Sequence, residues 1–175
     1  MSHRFYCLTL QIALVRKALL EQGGDNARLI AGGQTLLATL NMRLSEPSVL
    51  IDITDLKELQ GITAVGDQLW IGALVTHTEI EDSELVAKHA PLLKAAAPHI
   101  AHRAIRNLGT WGGSLAYGDP AAEWPACSLT LQATMIIHGP AGGRRIFAKD
   151  FFIDLYTTSL EPDEILVATE IPLAS

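Results

Sequence analysis

The sequence predicts an α+β fold on three observations. Helical periodicities alternate with short buried strands, two hairpins break that alternation, and glycine pairs stand where regular elements hand over to one another. With 175 residues and 49% hydrophobic content, the chain can bury a continuous core as one domain or two small lobes.

Taken in order, residues 10–22 set Ile12, Leu14, Val15, Leu19 and Leu20 on one helical stripe, which Gly23-Gly24 ends. The short apolar run 28–31 reads as a buried strand. Gly32-Gly33 breaks it and a helical pattern resumes over 34–44, so this glycine pair lies at a strand-to-helix junction. After Pro47, residues 49–53 form a second strand, and 61–65 with 68–71 form a hairpin around Gly66-Asp67. Short helices follow over 76–82 and 84–89, then a single alanine-rich helix over 91–102. Residues 107–120 carry five glycines or prolines among small and polar residues and read as one long, shaped loop. A helix over 123–133 and a strand over 135–138 come next, and a turn at 139–143 leads back into 144–147. The closing strand, 165–171, stops at Pro172, and there is no internal repeat.

Composition removes several function classes. A formal net charge of −6, with thirteen scattered basic residues, speaks against a nucleic-acid partner, which requires clustered Lys and Arg. No apolar run reaches the roughly eighteen residues of a membrane span and no secretory signal is evident, so a cytoplasmic protein without membrane insertion is expected. Cys7 and Cys127 match no metal or disulfide spacing and read as buried small hydrophobes. Ser114 lacks a nucleophile-elbow context and no Ser/His/Asp set is evident, so no catalytic residue is assigned. His99 and His102, three apart on the 91–102 helix, share a face, but no third ligand is near. A solvated or structural pair therefore outweighs a metal site, and no metal is expected.

Two loops carry the chemistry. In Ala31-Gly32-Gly33-Gln34-Thr35, residues without side chains precede a helix, where free backbone N–H groups can meet a phosphate. A tight turn explains the same glycines, Thr35 can be a simple cap, and the third glycine of a Rossmann fingerprint is absent. Gly109-Thr110-Trp111-Gly112-Gly113-Ser114 repeats the pattern, so both loops can donate hydrogen bonds to one diphosphate ligand. Trp111 either fills the core or faces the ligand. Asp119 and Glu123 either accept from ligand hydroxyls and a ring N–H or serve the start of the helix near Pro120.

The ordered series AGGQTLL, NMRL, LIDIT, GI, IGALVTH, IRNLGTWGGSLA, GDPAAEWPA and PDEILVATEIP resembles the flavoprotein (medium) subunit of molybdenum hydroxylases, the family of carbon monoxide and xanthine dehydrogenases, over nearly the whole chain. The resemblance implies the two-lobed α+β FAD-binding fold also found in vanillyl-alcohol oxidase. Residues 1–55 would form an N-terminal lobe and 56–175 a second lobe, with FAD between them. It implies Ala31, Gly32, Gly33, Gln34 and Thr35 at the pyrophosphate, with Leu36 also cofactor-binding, and Thr110, Gly112, Gly113 and Ser114 near the diphosphate and ribityl chain. Glu123 matches an acidic flavin-contacting position, and Leu29, Ile30, Ile100 and Leu166 fall where apolar side chains line the flavin pocket. It further implies an iron–sulfur small subunit and a molybdenum-cofactor large subunit as partners, with electrons passing through FAD to an external acceptor.

Three departures accompany the match. Thr35 replaces a common Ser, Trp111 replaces a small aliphatic residue, and Leu10 stands where a proline is expected although Phe5 and Tyr6 remain. Family members usually continue for about a hundred residues in a C-terminal subdomain that is expected to be absent here. The alternative is therefore a truncated, non-catalytic assembly module that holds FAD weakly or not at all. A flavin reductase of cell-wall precursor synthesis fits GDPAAEWPA and PDEILVATEIP less well.

Overall fold

The computed structural model describes Val15 and residues 26–173. The helix expected over 10–22, with Leu10, Phe5, Tyr6 and Cys7, lies outside the described residues apart from helical Val15.

A small unit comes first. Strands β1 (Ala27–Ile30) and β2 (Val49–Asp52) pair in parallel, Ala27 opposite Val49 and Ile30 opposite Asp52. Parallel strands need a crossover, supplied by helix α1 (Leu36–Asn41). The helix is shorter than the expected 34–44, because Arg43 takes a φ of 55° and ends it. The glycine loop thus leaves the carboxyl end of β1, where ligands of parallel αβ units bind.

The second unit is a five-stranded antiparallel sheet in the order β3-β4-β9-β5-β6. Its strands are β3 (Ile62–Val65), β4 (Gln68–Gly72), β5 (Thr134–Gly139), β6 (Gly142–Phe147) and β9 (Ile165–Pro172). Both expected hairpins are present, and Gly66 turns the first with a φ of 61°. On one face Leu69, Ile71, Met135, Ile137 and Ile171 join the main core. Helices α2 (His77–Asp82), α3 (Glu84–His89), α4 (Pro91–Ala96) and α7 (Glu123–Thr130) contribute Ile80, Val86, Leu93 and Trp124 to it. The opposite face packs Ile165, Val167 and Ala168 with Leu59, Leu74 and Ile53 against Leu29 and Ala31 of the small unit. A register shift between Ile136 and Ile137 lets Val167 and Ala168 both reach that cluster, which strict alternation forbids.

Three further expectations are corrected. The 91–102 helix breaks into α4, a 3₁₀ turn (Ala97–His99), an extended Ile100 and a positive-φ Ala101, after which His102 precedes α5 (Arg103–Arg106). Pro98 within the 3₁₀ turn cannot donate to a continuing ladder. His99 and His102 therefore share no helix face, and no metal-ligating cluster occurs among the described residues. The 107–120 loop contains a helix, α6 (Trp111–Tyr117). Thr110 caps it by accepting from Gly113 N–H, Gly118 closes it with a φ of 65°, and buried packing of Trp111, Gly112 and Leu115 outweighs the glycines' poor propensity. The helix from Glu123 ends at Thr130 rather than 133, with Gln132 at a φ of 53°. A helix α8 (Ala148–Phe151) and a ribbon of β7 (Phe152–Asp154) with β8 (Thr157–Thr158) add to the expected elements. No described helix is long and apolar enough to cross a membrane.

Candidate functional site

Between the small unit and the sheet runs a cavity of about 730 Å³, a size suited to an extended small-molecule ligand. Both glycine loops border it, and they touch. A Cβ on Gly32 would lie 1.8 Å from the Leu108 carbonyl oxygen and 2.9 Å from Gly109 Cα, so the first glycine serves loop-to-loop contact. Gly33 has a φ of 69°, which turns the chain from strand to helix.

The loops differ in what they offer a ligand. Among the described residues, no group accepts the backbone N–H of Gly32, Gly33, Gln34 or Thr35, and Gln34 Nε2 braces the loop by donating to Gly32 O at 2.9 Å. Thr35 makes no capping hydrogen bond, so its exposed hydroxyl is available at the cavity rather than committed to the helix. In the second loop the N–H groups are already engaged. Trp111 N–H donates to Val75 O and Gly112 N–H to Ala73 O, both at 2.8 Å. Gly113 N–H donates to Thr110 Oγ1, and Ser114 N–H to Thr110 O, each at 3.1 Å. Gly112 is glycine because a Cβ would sit 2.4 Å from Ala73 Cβ. The second loop therefore presents the Thr110 and Ser114 hydroxyls and the exposed flank of Gly113, while the first presents N–H groups.

Of the residues singled out in the sequence, Leu29, Ala31, Gly32, Gly33, Gln34, Thr35 and Leu36 line one side of the cavity. Ile100, Thr110, Gly112, Gly113, Ser114, Glu123 and Leu166 line the rest. Ile30 does not line it; its Cδ1 lies 3.4 Å from where a Cβ on Gly33 would stand. Glu123 stands in the first turn of α7, half-buried. Asp119 is outside the lining, and its Oδ1 accepts from Ala121 N–H at 2.9 Å in the turn before the helix, whose cap position is Ala122. Trp111 points into the core, fully buried, its Nε1–H donating to Thr169 Oγ1 at 2.9 Å. Cys127 is buried as expected, and burial first, then Glu123, pushes its thiol pKa up.

Sequence reasoning missed His77, which also lines the cavity. Trp124 Nε1–H donates to its Nδ1 at 2.9 Å, so the neutral ring carries its proton on Nε2, against Gly109. Burial, and then the Arg106 charge, lower its pKa to about 4. Its place in IGALVTH, directly after the helix-capping Thr76, was the available signal. Tyr117 and Tyr156, edge-to-face at 5.4 Å, and Leu160 also border the cavity and carry no local sequence signal.

Comparison with known proteins adds to this geometry. Residues 11–174 match the family model described as the FAD binding domain in molybdopterin dehydrogenase. The chain is 47% identical over 148 residues to the nicotine 6-hydroxylase medium subunit of Paenarthrobacter nicotinovorans, covering 85% of this chain and 52% of that protein. It superposes on carbon monoxide dehydrogenase from Hydrogenophaga pseudoflava with a TM-score of 0.91 at 37% identity, over 94% of this chain and 57% of that one. Quinoline 2-oxidoreductase from Pseudomonas putida 86 gives a TM-score of 0.89 at 44% identity, over 93% and 56%. The chain spans about half the length of these proteins. The α+β reading of the sequence, the resemblance and the FAD-binding type that the resemblance implies are borne out. With a match over almost its full length, relatives well above a third identical and a site built on the two glycine loops, the chain belongs to the family of FAD-binding domains of molybdopterin dehydrogenases.

Proposed function

We propose that this chain is the FAD-binding part of the flavoprotein (medium) subunit of a molybdenum-containing hydroxylase. The observation that carries the reading is that two glycine loops, far apart in sequence, touch each other and border one cavity of about 730 Å³. The cavity's donor set fits the cofactor, because open N–H groups at 32–35 suit a diphosphate and an apolar wall suits ring systems.

In this reading the N–H groups of Gly32, Gly33, Gln34 and Thr35 hold the diphosphate, helped by the hydroxyls of Thr35, Thr110 and Ser114. Glu123 accepts from a ligand hydroxyl or ring N–H, and Leu29, Ile100 and Leu166 give apolar contact that excludes water. Ile30 supports the strand rather than the ligand. The lobes divide at about residues 1–55 and 56–175, and the cluster of Ile53, Leu59, Leu74 and Val167 joins them. Bound FAD would supply the redox chemistry, an electron relay between iron–sulfur centres of a small partner subunit and an external acceptor. Substrate hydroxylation belongs to a large molybdenum-cofactor subunit. The medium-subunit names of the relatives support both partners.

Titrating FAD into the purified chain and following flavin fluorescence tests this. Saturable binding at one site is expected. Gly113→Ala, whose Cβ would come 2.7 Å from Thr110 Oγ1, should weaken it about tenfold, ~1.4 kcal/mol. A colourless chain with no response to FAD would sink the reading and favour an assembly module without cofactor.

A further inference from the structure

We propose that Arg106, which does not itself line the cavity, is a positioning residue for the cavity wall at Ile100 and Ala101. The inference rests on the FAD reading of that cavity for its functional consequence and on geometry for its mechanism. Arg106 is buried, and its guanidinium spends its donors on three targets. Nη1 donates to Ile100 O and to Ala101 O, both at 2.9 Å, while Nε donates to Glu81 Oε2 at 2.9 Å. Two consecutive carbonyls converge on one nitrogen because the chain reverses there, with Ala101 at a φ of 42°. A residue with a Cβ rarely adopts that backbone conformation, so the turn depends on groups outside it to hold it. Ile100 and Ala101 both line the cavity.

The same guanidinium ties this wall to two other parts of the site. Glu81 belongs to α2, the helix whose first residue, His77, lies against Gly109. Arg106 itself ends α5, three residues before Gly109 opens the second loop. One planar fork thus fixes the wall turn, α2 and the approach to the loop relative to one another. Lysine keeps the charge but has a single nitrogen and cannot serve both the carbonyl pair and the carboxylate.

Two readouts on the full chain test this, with Arg106→Lys and the double variant Arg106→Lys/Ala101→Gly. The first is FAD affinity; the second is amide hydrogen exchange of the peptide spanning 97–106 in the FAD-free protein. Arg106→Lys should weaken FAD binding about tenfold or more and speed exchange of that peptide, with exchange in the five-stranded sheet unchanged. Adding Ala101→Gly should restore part of the affinity, because glycine takes the positive φ without external support. Unchanged affinity, unchanged local exchange, or a double variant no better than Arg106→Lys would each overturn the proposal. If the wild-type chain ignores FAD, the cofactor reading fails and with it the claimed consequence. The exchange comparison still decides separately whether Arg106 holds the turn.

Discussion

His77 shows how burial converts a common titratable residue into a fixed dipole. Trp124 donates to its Nδ1, Arg106 lies close enough to oppose a positive charge, and burial keeps its pKa at about 4, so the ring is neutral near pH 7 with Nε2–H against the second loop. In the unfolded chain the imidazole returns to an ordinary value near 6.5 and binds a proton more readily. The native state's advantage is complete above about pH 6.5 and is lost as pH falls toward 4, with a slope of up to about 1.4 kcal/mol per pH unit. Urea midpoints at pH 7 and pH 5 check this. The wild type should lose stability between them, and His77→Gln, which removes the titrating group, should lose less. Equal losses in the two proteins would show that His77 is not the group responsible.

At the scale of elements, α6 carries the most information. Its residues have poor helix propensity, yet they form a helix because Thr110 caps it, Gly118 closes it and its buried side packs on Ala73. Gly112 lies so close to Ala73 that a methyl group has no space, and the neighbour it would strike is backbone as well as side chain. Gly112→Ala should therefore cost about 1–3 kcal/mol through overpacking, read as a lower urea midpoint with unchanged slope. A midpoint within a few tenths molar of wild type would mean that α6 can slide away from the 73–75 segment that follows β4, contrary to its hydrogen bonds to Val75 and Ala73. The glycine pair was visible in the sequence, but what approached it was not. Ala73 and Gly112 are distant in sequence, and nothing local to either announces the contact.

For the whole molecule, the decisive surface is the second face of the sheet. Leu59, fully buried, packs there with Leu74, Ile165 and Val167 beneath Leu29 and Ala31 of the small unit. Leu59→Ala should destabilise the fold by about 2–5 kcal/mol. Because this cluster lies where the two units that wall the cavity meet, the variant should also gain less stability from saturating FAD than the wild type does at the same concentration. Denaturation of both proteins with and without FAD separates the two effects. An equal FAD-induced shift in both would show that the cavity does not depend on this joint. The ion pair of Arg144 with Glu164, at 2.6 Å and partly exposed, is a weaker contributor to holding the 159–164 segment on the sheet.

The sequence alone determined the α+β class, both hairpins, the strand-to-helix position of Gly32-Gly33 and the residue types at the site, because these rest on local periodicity, turn chemistry and ordered motifs. It did not determine which glycines meet a ligand and which meet the protein. Gly32 against Leu108, Gly112 against Ala73 and Gly109 against His77 are contacts between residues distant in the chain. Ile100 was placed at the pocket by the resemblance, but the turn that sets it there, with Arg106 donating to Ile100 O and Ala101 O from outside the cavity, was not legible in the sequence. Only the tertiary structure decided these. A glycine's sequence context records that space is needed, whereas packing decides what fills it.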